Sequence, residues 1–243
     1  MNQQNSQSQD GPLTALVEYQ IRAETTTVQQ WLDVWGMRAE DAFLAEPETC
    51  AYEAAISAEN EQRVLIFERY AEGESSIHAH TQRPAHTALM ETMGAKNMTK
   101  RRVMSNLYAD VDNYGWWQRP ERDAAMRDAD LLVTLIGTRF PSAEMKQRYI
   151  ELTGAHAAYC WETEPGTLVY SAGIALRDAD RGPEIKAGDL VFVAVFANEE
   201  AAAEHRDDPQ HVALQPKLAE IKRERVMLQS YRTSGKGFLW ASK

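Results

Sequence analysis

Three short patterns occur twice along the chain, in the same order. E-P-x-T-x-x-Y runs from Glu46 to Tyr52 and again from Glu164 to Tyr170. H-x-x-x-P-x-H runs from His80 to His86 and again from His205 to His211. R-V-M stands at Arg102–Met104 and at Arg225–Met227. The offsets between copies are 118, 125 and 123 residues. One such match arises easily by chance, but three in register indicate a duplicated unit. The jump in offset calls for a small insertion, and Arg177–Gly188 (RDADRGPEIKAG) is the natural place for it.

Each copy has the same coarse layout. Leu13–Ile21 is rich in strand formers. A helix is expected from about Thr26, with Thr26 and Gln29 as a capping box. Val28, Trp31, Leu32, Trp35, Ala39 and Ala42 follow at helical spacing as one apolar stripe. The Glu46-Pro47 step ends that helix. Two strands, TCAYEAAI and RVLIFERY, come next. A short helix near Glu74–Thr81, another from Pro84, and the strand RRVMSNLY complete the copy.

In the second copy, DLLVTLIGTRF is the first strand. Ser142 caps a helix carrying Met145, Tyr149, Leu152 and His156 on one face. GTLVYSAGIAL and DLVFVAVF are the middle strands. Helices over Ala201–His205 and from Pro209 to about Arg223, then RVMLQSYR, finish the unit. The order β-α-β-β-α-β is the ferredoxin-like arrangement, of α+β class. LVFVAVF is apolar on both alternating faces, so neither side of the sheet faces water. The expected cover is the other copy, sheet against sheet. The organisation expected is a polar tail over 1–11, repeats over 12–108 and 129–243, and a connection over 109–128. Its Trp116-Trp117 pair is expected to pack on the sandwich or to shield a cavity mouth.

The 243-residue chain carries a net charge of −10, and its densest basic cluster is Lys100-Arg101-Arg102. Binding to nucleic acid or to an anionic membrane needs a positive footprint, so neither is expected. Two lone cysteines, Cys50 and Cys160, form no C-x-x-C and suit a reducing compartment. The polar N-terminus does not read as a signal peptide, and a cytoplasmic location is expected.

A helix carrying Trp31-Leu32-Asp33-Val34-Trp35, the E-P-x-T-x-x-Y turn, and Phe67-Glu68-Arg69-Tyr70 followed by His80 and Pro84-Ala85-His86 together resemble the antibiotic biosynthesis monooxygenase family. The second copy resembles it less closely, through Val195-Phe196, His205 and Pro209-Gln210-His211. The resemblance implies a dimeric α+β barrel, here fused into one polypeptide. It also implies oxygenation of an aromatic polyketide or hydroquinone by molecular oxygen, with no tightly bound cofactor. Tandem members of this kind are similar to ring-opening oxygenases of angucycline-type polyketide pathways. For them, reduced flavin is a candidate diffusible cosubstrate, a flavin reductase a candidate partner, and a homodimer a candidate assembly.

Two departures from the family narrow the expectation. Anthrone-oxygenating members place an Asn and a Trp four residues apart on the third strand. Ile66 and Tyr70, or Phe192 and Phe196, stand there instead. The helix following each H-x-x-x-P-x-H has no further histidine, which disfavours haem degradation.

Four of the six histidines lie in the repeated motif. Neither copy suggests a clustered carboxylate-histidine set, so no metal is expected, and the histidines read first as structural. The catalytic candidates are His156, His205 and His80. His156 ranks first because copy one has Arg38-Ala39 at the matching place, an asymmetry that hints at a working site in copy two. A near-neutral imidazole there would suit abstraction of a phenolic proton. Trp31, Trp35, Tyr70, Tyr149 and Tyr170 are candidate walls for a planar aromatic substrate, with core packing as their ordinary role. A non-catalytic binding or stress-response module, or an oxygen-independent cyclase or lyase, are the rival readings.

Overall fold

In a computed structural model, residues 11–119, 122 and 125–241 are described; the expected tail, except Gly11, lies outside them. The first repeat comprises β1 (Leu13–Ile21), α1 (Val28–Ala45), β2 (Thr49–Ser57), β3 (Arg63–Tyr70), α2 (Gly73–Gln82), α3 (Pro84–Ala95) and β4 (Thr99–Asp110). A two-residue strand, β5 (Ala125–Met126), lies in the connection. The second repeat comprises β6 (Ala129–Arg139), α4 (Ala143–Thr163), β7 (Thr167–Ala175), β8 (Leu190–Phe196), α5 (Glu199–Asp207), α6 (Pro209–Ala219) and β9 (Glu224–Ser234). The short β10 (Trp240–Ala241) pairs with β5.

The eight long strands close into one barrel in the order β1-β3-β2-β9-β6-β8-β7-β4. The two sheets face each other as expected, and their edges also hydrogen-bond, through β2 with β9 and β4 with β7. Closure leaves no free edge. Leu16, Leu65, Phe67, Tyr108, Leu135, Val193 and Tyr231 fill the barrel, while the outer face of each sheet carries helices. Both faces of β8 are therefore covered, which is why it reads as a continuous apolar run. The β2–β3 loop spans 58–62 and the β7–β8 loop spans 176–189, so the inserted segment lies where the offsets place it. Ile185 of that loop is buried against the barrel core.

Two boundaries differ from the sequence reading. The capping box is formed by Thr27 and Gln30, one residue later than expected. Thr25 and Thr26 are held in the preceding turn, where Thr25 Oγ1 donates to the Asn97 carbonyl and the Thr26 N–H to that of Arg22. The last helix stops at Ala219 rather than near Arg223. The Arg223 guanidinium folds back onto the Leu218 and Ile221 carbonyls and caps it.

Beyond its last barrel strand, each repeat reaches across to the other. After β4 the chain lays Trp116 beside Tyr170, with hydrogen bonds of 2.8 and 3.0 Å between their backbones. After β9 it lays Phe238 beside Tyr52, with bonds of 2.9 and 2.8 Å. Tyr52 and Tyr170 are the tyrosines of the repeated E-P-x-T-x-x-Y. A glycine precedes each aromatic because the strap lies on the strand backbone. A Cβ on Gly115 would sit 1.7 Å from the Tyr170 carbonyl oxygen, and one on Gly237 would sit 2.0 Å from that of Tyr52. The tryptophans of the connection are packed. Trp116 stacks on Tyr170 and meets Trp161 edge-on, and the Arg119 guanidinium lies over both indoles. Trp117 turns the other way, under Arg69 and against Phe67.

Candidate functional site

A cavity of about 670 Å³ opens in the first repeat, between the outer face of β1, β3 and β4 and helices α1 to α3. Alternation along β3 sends Ile66, Glu68 and Tyr70 to this face while Leu65 and Phe67 fill the barrel. The helical stripe of α1 contributes Trp31 and Trp35, and α3 contributes Leu89 and Met93. The indoles are fixed by hydrogen bonds, Trp31 Nε1 to Thr99 Oγ1 at 3.0 Å and Trp35 Nε1 to the Tyr52 hydroxyl at 3.1 Å. The volume and the aromatic walls suit a planar small molecule.

One end of the cavity is polar, and the repeated motifs build it. Glu46 caps the end of α1, and its carboxylate receives Thr49 Oγ1 and lies 2.7 Å from His80 Nδ1. Arg38, buried on α1, donates to the same carboxylate and to the His80 carbonyl. The Tyr52 and Tyr70 rings and His86 surround the His80 imidazole at 4.9, 5.5 and 5.6 Å between centroids. E-P-x-T-x-x-Y and H-x-x-x-P-x-H are thus two halves of one cluster. With Nδ1 donating to Glu46, Nε2 is the nitrogen left to take a proton. Glu46 holds the ring in that tautomer and supplies a counter-charge for the imidazolium, while Arg38 holds the Glu46 carboxylate in place.

Glu68 completes this end. The sequence reading passed over it as part of the F-E-x-Y landmark. A carboxylate amid the apolar residues of RVLIFERY was the available signal. Burial raises its carboxyl above the usual range, against the pull of His80, the Tyr70 hydroxyl and Arg38. The Tyr70 hydroxyl donates to it at 2.6 Å and is itself pushed well up by burial and by Glu68. His86 is shifted down by burial first and by the charges of His80 and Arg38, and its buried Nδ1 has no hydrogen-bond partner among the described residues.

Glu46 gives a prediction with a definite sign. Burial would raise its carboxyl, but the His80 and Thr49 hydrogen bonds, with the charges of His80 and Arg38, override it and hold the pKa at about 2. A depressed folded value contributes stability above the ordinary value of 4.5 and loses it as pH falls from there toward about 2. Denaturant midpoints should drop across that window in the native protein and drop less in Glu46→Gln. Equal slopes would remove the claim.

The second repeat repeats the cluster, and aromatic side chains stand at the place that matches the cavity. His205 Nδ1 lies 2.7 Å from Glu164 Oε2, and Thr167 Oγ1 donates to the same oxygen. Here Phe192 and Phe196 replace Ile66 and Tyr70. Phe192 stands edge-on to Tyr170 at 4.5 Å, and Tyr114 of the connection packs against Phe192. Tyr149 lies against Phe140 and under Arg223. Of the residues singled out from sequence, Trp31, Trp35, Tyr70 and His80 line the cavity; Tyr149, Tyr170, His156 and His205 do not. The asymmetry pointed to the second repeat, but the cavity described above lies in the first; at the matching face of the second, Tyr114, Tyr170, Phe192 and Phe196 are packed among aromatic and apolar neighbours. His156 lies against Tyr170, His205 and His211 in that filled space. The expectation that neither copy gathers a carboxylate-histidine set is also corrected, since His156, Cys160, Glu164 and His205 converge there.

Residues 12–92 match the family model described as antibiotic biosynthesis monooxygenase. No curated protein sequence matches the chain. Among solved structures, the chain is similar to two proteins each described as a putative monooxygenase. For the one from Lactobacillus acidophilus the TM-score is 0.68 at 12% identity, with 94% of this chain and 98% of that chain covered. For the one from Fusobacterium nucleatum it is 0.67 at 14% identity, with 97% and 99% covered. A third, described as an anthrone oxidase-like protein, gives 0.53 at 12% identity, with 93% and 92% covered. At these identities the likeness is one of fold: the whole tandem barrel is shared. Among the described residues no helix is long and apolar enough to cross a membrane.

Proposed function

From a chain whose first repeat is an antibiotic biosynthesis monooxygenase domain, we propose an oxygenase that acts on a planar, electron-rich phenol or hydroquinone of the aromatic polyketide kind. A monooxygenase-type activity is what the family suggests. The observation that carries the finer reading is the apolar cavity of the first repeat with the Glu46–His80 pair at its polar end.

The walls hold the ring system, and Trp31 and Trp35 supply flat contact area. His80 Nε2 takes the phenolic proton, and Glu46 stabilises the imidazolium formed. The phenolate passes one electron to molecular oxygen, and the phenoxyl radical and superoxide recombine at a ring carbon. The resulting hydroperoxide loses water, leaving a carbonyl where a C–H stood. One oxygen atom enters the substrate and the other leaves as water, with all four electrons drawn from the substrate. The His80 imidazolium returns its proton to the peroxide oxygen that leaves, and Glu68 and Tyr70 line the same end of the cavity. Exclusion of bulk water by the apolar walls protects the radical pair. For oxidative ring opening, reduced flavin would enter as a diffusible cosubstrate supplying two further electrons.

The test is oxygen uptake and a shifted absorption band on mixing the protein with a panel of polycyclic phenols, with and without reduced flavin. No turnover of any member under either condition overturns the reading. A second test uses the chain's own design for a filled repeat. Ile66→Phe places the residue of the matching second-repeat position in the cavity. It should leave thermal stability unchanged or higher, because it fills apolar space, while quenching of Trp31 and Trp35 fluorescence by the phenol is lost. Undiminished quenching would put the binding site elsewhere.

A further inference from the structure

The histidine cluster of the second repeat has no task in the reading above. His156, Cys160 and Glu164 are spaced four residues apart along α4 and its C-cap, so they share one helix face. From α5, His205 meets them. One donor atom from each lies within 4.8 Å of the other three. Cys160 Sγ is 3.4 Å from His156 Nε2 and 3.8 Å from His205 Nδ1, and that nitrogen is 2.7 Å from Glu164 Oε2. His156, Cys160 and His205 are buried, and the Glu164 side chain is 10% exposed.

The first repeat supplies an internal comparison. Glu46 and His80 stand to each other as Glu164 and His205 do, but Arg38 occupies the place of His156 and Ala42 that of Cys160. The Arg38 guanidinium donates to Glu46 Oε1 and lies 2.9 Å from His80 Nδ1. The first pair therefore has a built-in cation against it. In the second, the corresponding oxygen, Glu164 Oε1, is buried with no hydrogen-bond partner among the described residues. The duplication has exchanged one positive side chain for two metal-ligating ones and left the carboxylate without the guanidinium that Glu46 has.

We propose that the second repeat binds a divalent cation of the zinc class through His156 Nε2, Cys160 Sγ, the Glu164 carboxylate and His205 Nδ1, at the place that Arg38 fills in the first. Two imidazole nitrogens, one sulfur and one oxygen are a tetrahedral zinc set, with bonds of about 2.0–2.3 Å. Binding releases the thiol proton to solvent, so a thiolate and a carboxylate balance the dication. Burial otherwise pushes the Cys160 thiol up, so it is the bound cation that makes it a ligand. Thr167 Oγ1, at 2.8 Å from Glu164 Oε2, orients the carboxylate from outside. All four positions come from the protein, which makes the site structural, a clamp between α4 and α5.

The full chain, purified without a polyhistidine tag, should carry about one zinc per molecule by elemental analysis. The metal-free chain should take up cobalt with a thiolate-to-cobalt charge-transfer band and the intense visible bands of a tetrahedral ion. Cys160→Ser should abolish that band, and Cys50→Ser should keep it. The double variant His156→Arg with Cys160→Ala rebuilds the first-repeat arrangement, and should fold with unchanged circular dichroism and no zinc. The proposal is overturned if the folded native chain shows neither stoichiometric zinc nor the cobalt band. A band that survives Cys160→Ser, or zinc retained by the double variant, overturns it equally, even should Cys160→Ser fail to fold.

Discussion

His80→Ala should lower oxygen uptake with the best phenol of the panel by about a hundredfold or more, the usual range for a lost general base being about 10²–10⁴. The loss should fall on kcat, because the aromatic walls that bind the substrate remain. The fold should survive, since Arg38 still neutralises Glu46 once the imidazole is gone. Glu46→Gln should cost less, because it removes the group that fixes the His80 tautomer but not the base. Tyr149→Phe, in the filled second repeat, should leave turnover unchanged. If Tyr149→Phe produces the loss and His80→Ala does not, the first repeat is not the working copy. The hundredfold figure also separates this mechanism from the rival readings. A binding module has no turnover to lose, and a cyclase would lose product without any oxygen uptake.

The duplication and the barrel were readable because backbone-level signals carry them. Strand runs, helix-ending Glu-Pro steps and recurring landmarks survive extensive change in side chains. What the landmarks do was not readable. E-P-x-T-x-x-Y and H-x-x-x-P-x-H stand far apart in sequence, and only the packing of α2 against the end of α1 joins Glu46 to His80. The cavity was hidden for another reason. Its volume depends on the balance of side-chain sizes across three helices and a sheet, and the decisive differences, such as Ile66 against Phe192 and Tyr70 against Phe196, are all apolar or aromatic exchanges. A base on an apolar stripe, His156, drew attention at a face packed with aromatic side chains. The first crossing strap showed itself in the sequence only as the Trp116-Trp117 pair, and the second passed unread. The donors at 156, 160 and 164 were in plain helical register, but Glu164 read as part of the repeated E-P-x-T-x-x-Y landmark and Cys160 as a lone cysteine. The fourth donor, His205, becomes their neighbour only in three dimensions.

The other large effect is on stability, at the strap that closes the first repeat. Glu53 on β2 is buried, and its carboxylate accepts from the Ser234, Gly235 and Gly237 N–H groups at 3.0, 3.1 and 2.9 Å and from the Ser234 hydroxyl at 3.1 Å. Glu53→Ala leaves three backbone donors without their acceptor. At roughly 1–3 kcal/mol for each buried unsatisfied group, and with partial relaxation, the loss should be on the order of 3–5 kcal/mol. Chemical denaturation reads it directly, and a loss below about 1 kcal/mol would mean that the strap is not held here. The group also sets a pH dependence opposite to that of Glu46. Burial outweighs the four donors and raises its pKa from 4.5 to about 7. A raised folded value means the protonated form is the stabilised one, so this contribution is complete below about 4.5 and is lost as pH rises through about 7. Between pH 5 and 8 the native chain should therefore lose stability, and Glu53→Gln, which cannot ionise, should not. The strap also connects stability to the proposed chemistry. It lays Phe238 beside Tyr52, whose hydroxyl receives the Trp35 indole at the polar end of the cavity. Releasing it in Glu53→Ala should weaken phenol binding without removing any residue that touches the ligand, an effect that fluorescence quenching separates from the kcat loss of His80→Ala.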